Sequence, residues 1–205
     1  MSDAPAANGL VVVDSGGANL GSVLIALRRL GVDAPLVSDV ESIERAGRVL
    51  VPGVGAAGPV MRRLRELGLV ECLRRLRTPL LGICVGMQVL FERSEESEEA
   101  CLGLLPGRVS RLQGGPGLRV PHMGWNALRF ERSSALLQGI DEGSHAYFVH
   151  GYAAPVTSDC IARTEHGDAF AAIVQRDNVA GAQFHPERSS RVGDQLLRNF
   201  LAWAP

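Results

Sequence analysis

Short apolar runs alternate with stretches whose apolar residues recur every third or fourth position, and this alternation organises the first half of the chain. Residues 10–13 form a β-rich run closed by Asp14-Ser15-Gly16-Gly17-Ala18-Asn19, and residues 20–30 then show helical spacing with Gly31 as a stop. The same reading predicts a strand over 32–37, a short polar helix over 39–46 capped by Ser38 or Asp39, and a strand over 48–51 halted by Pro52. Residues 60–77 have helical periodicity, many arginines on one face and a break around Gly68. A wholly apolar strand follows at 80–83, then a helix from Val85 to about Arg93. Strands alternating with helices predict an α/β fold with a central, mainly parallel sheet covered by helices on both faces.

The texture changes after that helix. An acidic run (92–99) and a Gly/Pro-rich stretch (103–117) lead into shorter, strand-like segments at 126–130, 146–152, 160–164, 169–175 and 179–184. This half predicts a smaller antiparallel or mixed sheet region attached to the parallel core. Residues 190–203 close the chain as an amphipathic helix with Val192, Leu196, Leu197, Phe200 and Leu201 as its buried stripe. No repeat or linker divides the chain, so 1–205 is expected to be one domain with a flexible lead over residues 1–9.

The junction between the strand at 80–83 and its helix changes the picture from fold to chemistry. Gly82-Ile83-Cys84-Val85-Gly86 places one cysteine between two glycines at a strand-to-helix turn, which is the logic of a nucleophile elbow. The nucleophile's backbone is cramped, so its neighbours lack side chains. The helix N-terminus favours a thiolate and offers N–H donors to a nearby oxyanion. Cys72, Cys101 and Cys160 lack such flanks and read as small buried hydrophobes.

A nucleophilic thiol needs a base, and the base needs an orienting partner. Of five histidines, only His185 ends an apolar strand with a carboxylate two residues on, in His185-Pro186-Glu187. Pro186 disfavours helical geometry at His185, and in an extended segment residues i and i+2 share a side, so Glu187 is expected beside the imidazole. The loop Pro52-Gly53-Val54-Gly55 ends another strand and is the natural source of a second oxyanion donor, from Val54 or its neighbour, alongside the Val85 N–H. Gly53-Val54-Gly55-Ala56-Ala57-Gly58 also matches G-x-G-x-x-G, but a dinucleotide site would place that loop after the first strand and an acidic residue at the end of the next. Here the next strand ends in Gly82 and Cys84.

Composition narrows the class. With 46% hydrophobic residues, 21 basic against 22 acidic residues and a net charge of −1, nothing favours nucleic acid or an anionic membrane as a partner. Met1 to Gly9 contains no basic residue, and the apolar run after it is short for a signal peptide or membrane span, so a cytoplasmic location is expected. Four scattered cysteines without a C-x-x-C pair give no disulfide framework and no zinc site. No metal or other cofactor is expected.

The elbow, the Gly-rich loop upstream and His-Pro-Glu late in the chain resemble the class I (triad) glutamine amidotransferases, whose fold is flavodoxin-like. The resemblance runs through Asp14 to Asn19, Leu50-Val-Pro-Gly-Val-Gly55, Leu81 to Gln88, Arg93 to Ser97, Pro121-His-Met-Gly-Trp-Asn126, Tyr147 to Tyr152 and Gly181 to Ser189. Pro-Gly-Val-Gly, Met-Gln after the elbow and Pro-His-Met-Gly-Trp-Asn are similar to the branch that serves histidine biosynthesis. The resemblance implies glutamine as substrate, with Cys84 as nucleophile, His185 as acid and base and Glu187 as its orienter. It implies that Gly53, Gly55, Gln88 and Glu96 line the glutamine site, with Glu96 holding the substrate ammonium. It also implies a cyclase partner with a (β/α)8 barrel that receives the ammonia, met at Trp125, Tyr147 and Arg188. Two positions depart from the family pattern: Val85 stands where Leu is usual, and Gly151 where Ser is usual. From the residues alone, a non-catalytic scaffold and a cysteine-elbow hydrolase of esters or peptides stay open.

Overall fold

A computed structural model describes residues 9–17 and 20–205. The expected flexible lead therefore lies outside the described residues except for Gly9, as do Ala18 and Asn19 of the first loop. The chain runs through β1 (Leu10–Val13), α1 (Leu20–Arg29), β2 (Leu36–Val37), α2 (Val40–Glu44), β3 (Arg48–Gly53), α3 (Ala57–Glu66), α4 (Val70–Arg75), β4 (Leu80–Cys84) and α5 (Val85–Gln88). Strands β5 (Arg93–Ser94), β6 (Glu99–Ala100), β7 (Arg108–Arg111), β8 (His122–Ala127), β9 (Arg129–Phe130), β10 (His145–His150) and β11 (Tyr152–Ala153) follow. The last elements are β12 (Cys160–His166), β13 (Asp168–Arg176), β14 (Val179–Ala182) and α6 (Ser190–Ala202).

Eight strands form one sheet in the order β2-β1-β3-β4-β14-β13-β12-β9. The pairs from β2 to β14 are parallel and those from β14 to β9 antiparallel. Strands β1, β4 and β14 are buried at every residue, which requires cover on both faces and accounts for their continuous apolar runs. The expected antiparallel and mixed region is thus divided: β13, β12 and β9 extend the parallel core, while β11-β7-β5-β6 and β10-β8 form two smaller sheets.

Several boundaries move from their expected places, each for a local reason. The strand expected over 32–37 is only Leu36–Val37, because the Val32 N–H closes α1 by donating to the Leu27 carbonyl (3.0 Å). Pro52 does not halt β3, which continues to Gly53; the pairing with β1 ends at Val12↔Leu50, so at Pro52 the strand has a neighbour on one side only. The helix expected to reach Arg93 is the single turn α5, since the Val89, Leu90 and Phe91 carbonyls accept instead from the N–H groups of Leu102, Leu104, Leu105 and Gly103. Helix α3 starts at Ala57 rather than 60, and the break comes near Gly68 (φ 68°) as expected. Asp39, not Ser38, caps α2, accepting from the Ser42 N–H at 2.8 Å. In α6 the buried stripe is Leu196, Leu197 and Phe200, with Val192 and Leu201 half-buried, and Arg48 of β3 ties the end of the helix by donating to the Phe200 and Trp203 carbonyls (3.1 and 2.7 Å).

Candidate active site

The elbow forms where β4 meets α5. Cys84 sits at φ 54°, ψ −113°, a conformation an L-residue adopts only when its surroundings force it. The packing that forces it leaves no room for side chains: a Cβ at Gly86 would stand 1.9 Å from the Val51 carbonyl oxygen, and one at Gly53 would stand 2.6 Å from the Gly86 nitrogen. As first residue of α5, Val85 has an N–H without a partner inside the helix, and it lines the same cavity as Cys84.

Strand β14 runs parallel to β4 with Ala182 opposite Ile83, so its carboxyl end arrives at Cys84. The chain then turns sharply. The His185 N–H donates to the Tyr147 carbonyl (3.0 Å), the Ser189 hydroxyl donates to the His185 carbonyl (2.7 Å), and the Tyr147 N–H donates to Ser189 Oγ (3.0 Å). His185 has extended geometry, but Pro186–Arg188 is a 3-10 turn rather than more strand. Glu187 reaches the imidazole through that turn: its Oε1 lies 2.8 Å from His185 Nδ1, and its side chain is 2% exposed. Burial by itself would lower the His185 pKa. Hydrogen bonding and charge from Cys84 and Glu187 overturn that effect and raise it to about 10. The result is a protonated imidazole between a sulfur and a carboxylate, the arrangement that favours a thiolate nucleophile.

A cavity of about 140 Å³ opens on this corner, and Val54, Gly55, Cys84, Val85, Gln88 and Glu96 meet around it with His185. Gly53 is not in its lining; it is buried against the start of α5. Glu96 accepts from the Ala57 N–H (3.1 Å) at the start of α3, burial raises its pKa against that bond, and among the described residues it has no ion-pair partner. That carboxylate occupies the helix terminus a pyrophosphate would need, which disposes of the dinucleotide reading of 53–58. Gln88 is buried, and both its N–H donors are spent within the protein, on the Tyr152 carbonyl (2.8 Å) and Gln183 Oε1 (3.0 Å). Trp125 (53% exposed) and Tyr147 are register partners on β8 and β10 with rings edge-to-face at 5.8 Å, and Arg188 is exposed just after the triad.

Sequence reasoning missed Val149, His150 and Tyr152, which complete the cavity, and Gln183, whose Nε2 lies 3.9 Å from Cys84 Sγ. Gln183 left a trace in the sequence as the lone amide in the apolar run 179–184. Val149 and Tyr152 had none, because apolar residues on a strand read as core. A larger open depression of about 860 Å³ is walled by residues between Phe130 and Gln138, holds no cysteine or histidine, and lacks this chemistry.

The fold, the strained cysteine and its His–Glu pair define a triad amidotransferase, and the family model for "Glutamine amidotransferase class-I" matches residues 11–203: the chain belongs to that family. Within it, the chain is 59% identical over 192 residues to "Imidazole glycerol phosphate synthase subunit HisH" of Xanthomonas axonopodis pv. citri (strain 306), covering 94% of this chain and 96% of that one. The protein of the same name from Xylella fastidiosa (strain Temecula1 / ATCC 700964) is 57% identical with the same coverage. A solved structure described as "Crystal structure of glutamine amidotransferase" superposes with a TM-score of 0.74 at 25% identity, over 94% of this chain and 97% of that one.

Proposed function

We propose that this chain is the glutaminase subunit of an imidazole glycerol phosphate synthase, acting in histidine biosynthesis as one amidotransferase unit in the cytoplasm. Among the described residues, no helix is long and apolar enough to cross a membrane. The observation that carries the reading is the Cys84–His185–Glu187 line at one side of a cavity whose other polar boundary is the carboxylate of Glu96, which among the described residues has no ion-pair partner. Glutamine fits that polarity: its ammonium meets Glu96 and its side-chain amide meets the sulfur.

In the reaction, Cys84 Sγ adds to the amide carbon, and the oxyanion is met by the N–H of Val85 and, from the 52–55 loop, that of Val54 or its neighbour. The His185 imidazolium gives its proton to the leaving nitrogen, so ammonia departs and a thioester remains. The neutral imidazole then takes a proton from water, whose oxygen adds to the thioester carbon; glutamate leaves and Sγ returns as thiolate. Glu187 holds the imidazole through both steps. Gly55 and the carbonyl of Gln88 line the path of the substrate, and Gly53 makes room for α5.

Ammonia released into water would be lost, which calls for a partner. That partner is a cyclase subunit with a (β/α)8 barrel, forming a heterodimer over the Trp125, Tyr147 and Arg188 face, and converting the phosphorylated intermediate PRFAR to imidazole glycerol phosphate and AICAR. An exposed Trp packed edge-to-face with a Tyr is the kind of anchor such interfaces use. The test is glutamine hydrolysis by the purified chain, alone and with the cyclase and its ligand. Stimulation in the complex is expected, and Cys84→Ala should lower the rate at least ~10⁴-fold while leaving the fold intact. A Cys84→Ala chain as active as the unsubstituted one would overturn the assignment.

A further inference from the structure

The nucleophile has a second buried polar neighbour that the triad does not require. Gln183 follows the last residue of β14, and because Ala182 stands opposite Ile83 in the parallel pair with β4, it falls beside Cys84. Its side chain is fully buried. Its Nε2 lies 3.9 Å from Cys84 Sγ, within reach for a hydrogen bond to sulfur, and its Oε1 accepts from Gln88 Nε2 at 3.0 Å.

The direction of this chain of amides is set at its far end. The Tyr152 carbonyl can only accept, so Gln88 must present its NH₂ group there, at 2.8 Å. The second N–H of that same group meets Gln183, which must then turn its oxygen toward Gln88 and its NH₂ toward the sulfur. His150 Nδ1 also binds the Tyr152 carbonyl (2.8 Å), fixing the anchor from another side. With both N–H groups of Gln88 taken and the Gln183 oxygen turned toward Gln88, the Gln183 NH₂ is left facing the sulfur.

We propose that Gln183 is a catalytic hydrogen-bond donor to the Cys84 sulfur, held in its donating orientation by Gln88 and the Tyr152 carbonyl. As thiolate, Sγ then receives donors from two sides, the His185 imidazolium and the Gln183 amide. As thiol, its acceptor is the Val149 carbonyl at 4.0 Å. The same Gln183 N–H meets the sulfur each time it gathers negative charge, before attack and again as the thioester breaks and the C–S electron pair returns to Sγ. Gln88 is on this account a positioning residue that acts through Gln183, beyond whatever its carbonyl offers a ligand. The catalytic arm of the proposal rests on the glutaminase reading; the sulfur chemistry does not.

The test is run on the full chain, without and with the cyclase. Iodoacetamide labelling of Cys84 is followed by mass spectrometry across pH. Gln183→Glu, which replaces the donor with an anion, is expected to move the labelling midpoint to higher pH and to lower kcat for glutamine about 10- to 100-fold. Gln88→Glu, which cannot donate to Tyr152, is expected to move the midpoint in the same direction by less. In the unsubstituted chain, the side-chain amide resonances of Gln183 are expected to titrate with the labelling midpoint. A folded Gln183→Glu chain with an unmoved midpoint overturns the proposal. Amide resonances indifferent to Cys84 ionisation do so even if the variant fails to fold. An unsubstituted chain that labels as expected but never hydrolyses glutamine, with or without the cyclase, would sink the glutaminase reading and leave the donor role standing.

Discussion

Two histidines line one small cavity, one on its elbow wall and one on its β10 wall, and they behave oppositely, as do a glycine of the elbow and a glycine beside His150. On the elbow wall, His185 is buried yet carries a pKa raised to about 10. On the β10 wall, His150 is buried and its pKa falls to about 3, chiefly from burial, with the histidines around it pushing the same way. The difference lies in company. His185 sits between a sulfur and a carboxylate, whereas His150 packs edge-on against Phe170 and touches a neutral His122, itself pushed down to about 4 by burial. Burial makes an imidazole neutral; only an adjacent anion reverses that. The glycines divide likewise: a Cβ at Gly86 would strike the Val51 carbonyl oxygen at 1.9 Å, while one at Gly151 would meet nothing nearer than Pro121 and Val120 at 3.9 Å.

Removing the anion from the elbow wall breaks the comparison most severely. Glu187→Gln keeps the shape of the partner but not its charge, and glutamine hydrolysis measured as kcat/KM should fall about 10²- to 10⁴-fold. A variant with full activity would show that orientation by this carboxylate is dispensable. Next in size, Gly86→Ala should cost about 3 kcal/mol of stability in urea unfolding, because the new methyl group has only backbone to displace. An unchanged midpoint would mean the elbow is looser than its contacts.

The two histidines should also tilt stability in opposite directions with pH. The folded pKa of His185 lies above its ordinary 6.5, so its contribution is complete below pH 6.5 and is lost as pH climbs toward 10. The folded pKa of His150 lies below 6.5, so it costs nothing at neutral pH and destabilises progressively as pH falls from 6.5 toward 3, by up to about 1.4 kcal/mol per pH unit. His150→Gln should therefore make the acid limb of a plot of melting temperature against pH shallower, with His122 still contributing to it, and leave the alkaline limb in place. An acid limb of unchanged steepness would assign it to other groups. The smallest effect belongs to Gly151→Ser: stability within about 0.5 kcal/mol of the parent and a KM for glutamine lower by about 2- to 10-fold if the hydroxyl reaches the substrate. An unchanged KM would show that it does not.

The grouping of the candidate triad was legible because each member left a local mark: glycines flanking Cys84, a proline fixing the geometry at His185, and a carboxylate two residues beyond. The parallel core was legible for the same kind of reason, since strands buried on both faces cannot afford polar residues. The one-turn length of α5 was not. Nothing in residues 85–93 signals that the carbonyls of Val89 to Phe91 will be taken by N–H groups from 102–105. Nor does the spacing 185–187 say that a 3-10 turn, rather than a strand, brings Glu187 to the imidazole. Gln183 stood in plain view as an amide among apolar neighbours, but its partners Cys84 and Gln88 lie 99 and 95 residues away at the β4–α5 junction, and the carbonyl that orients Gln88 belongs to Tyr152 of β11.

The sequence by itself determined the order of most elements and singled out the candidate nucleophile and its candidate acid–base pair, because those depend on dihedral preferences and on neighbours within a few positions. Tertiary structure alone decided which histidine is charged, which glycine is indispensable and which way the buried amides point. Those outcomes depend on burial and on the sign of the groups that distant strands deliver, and neither quantity exists until the sheet has formed.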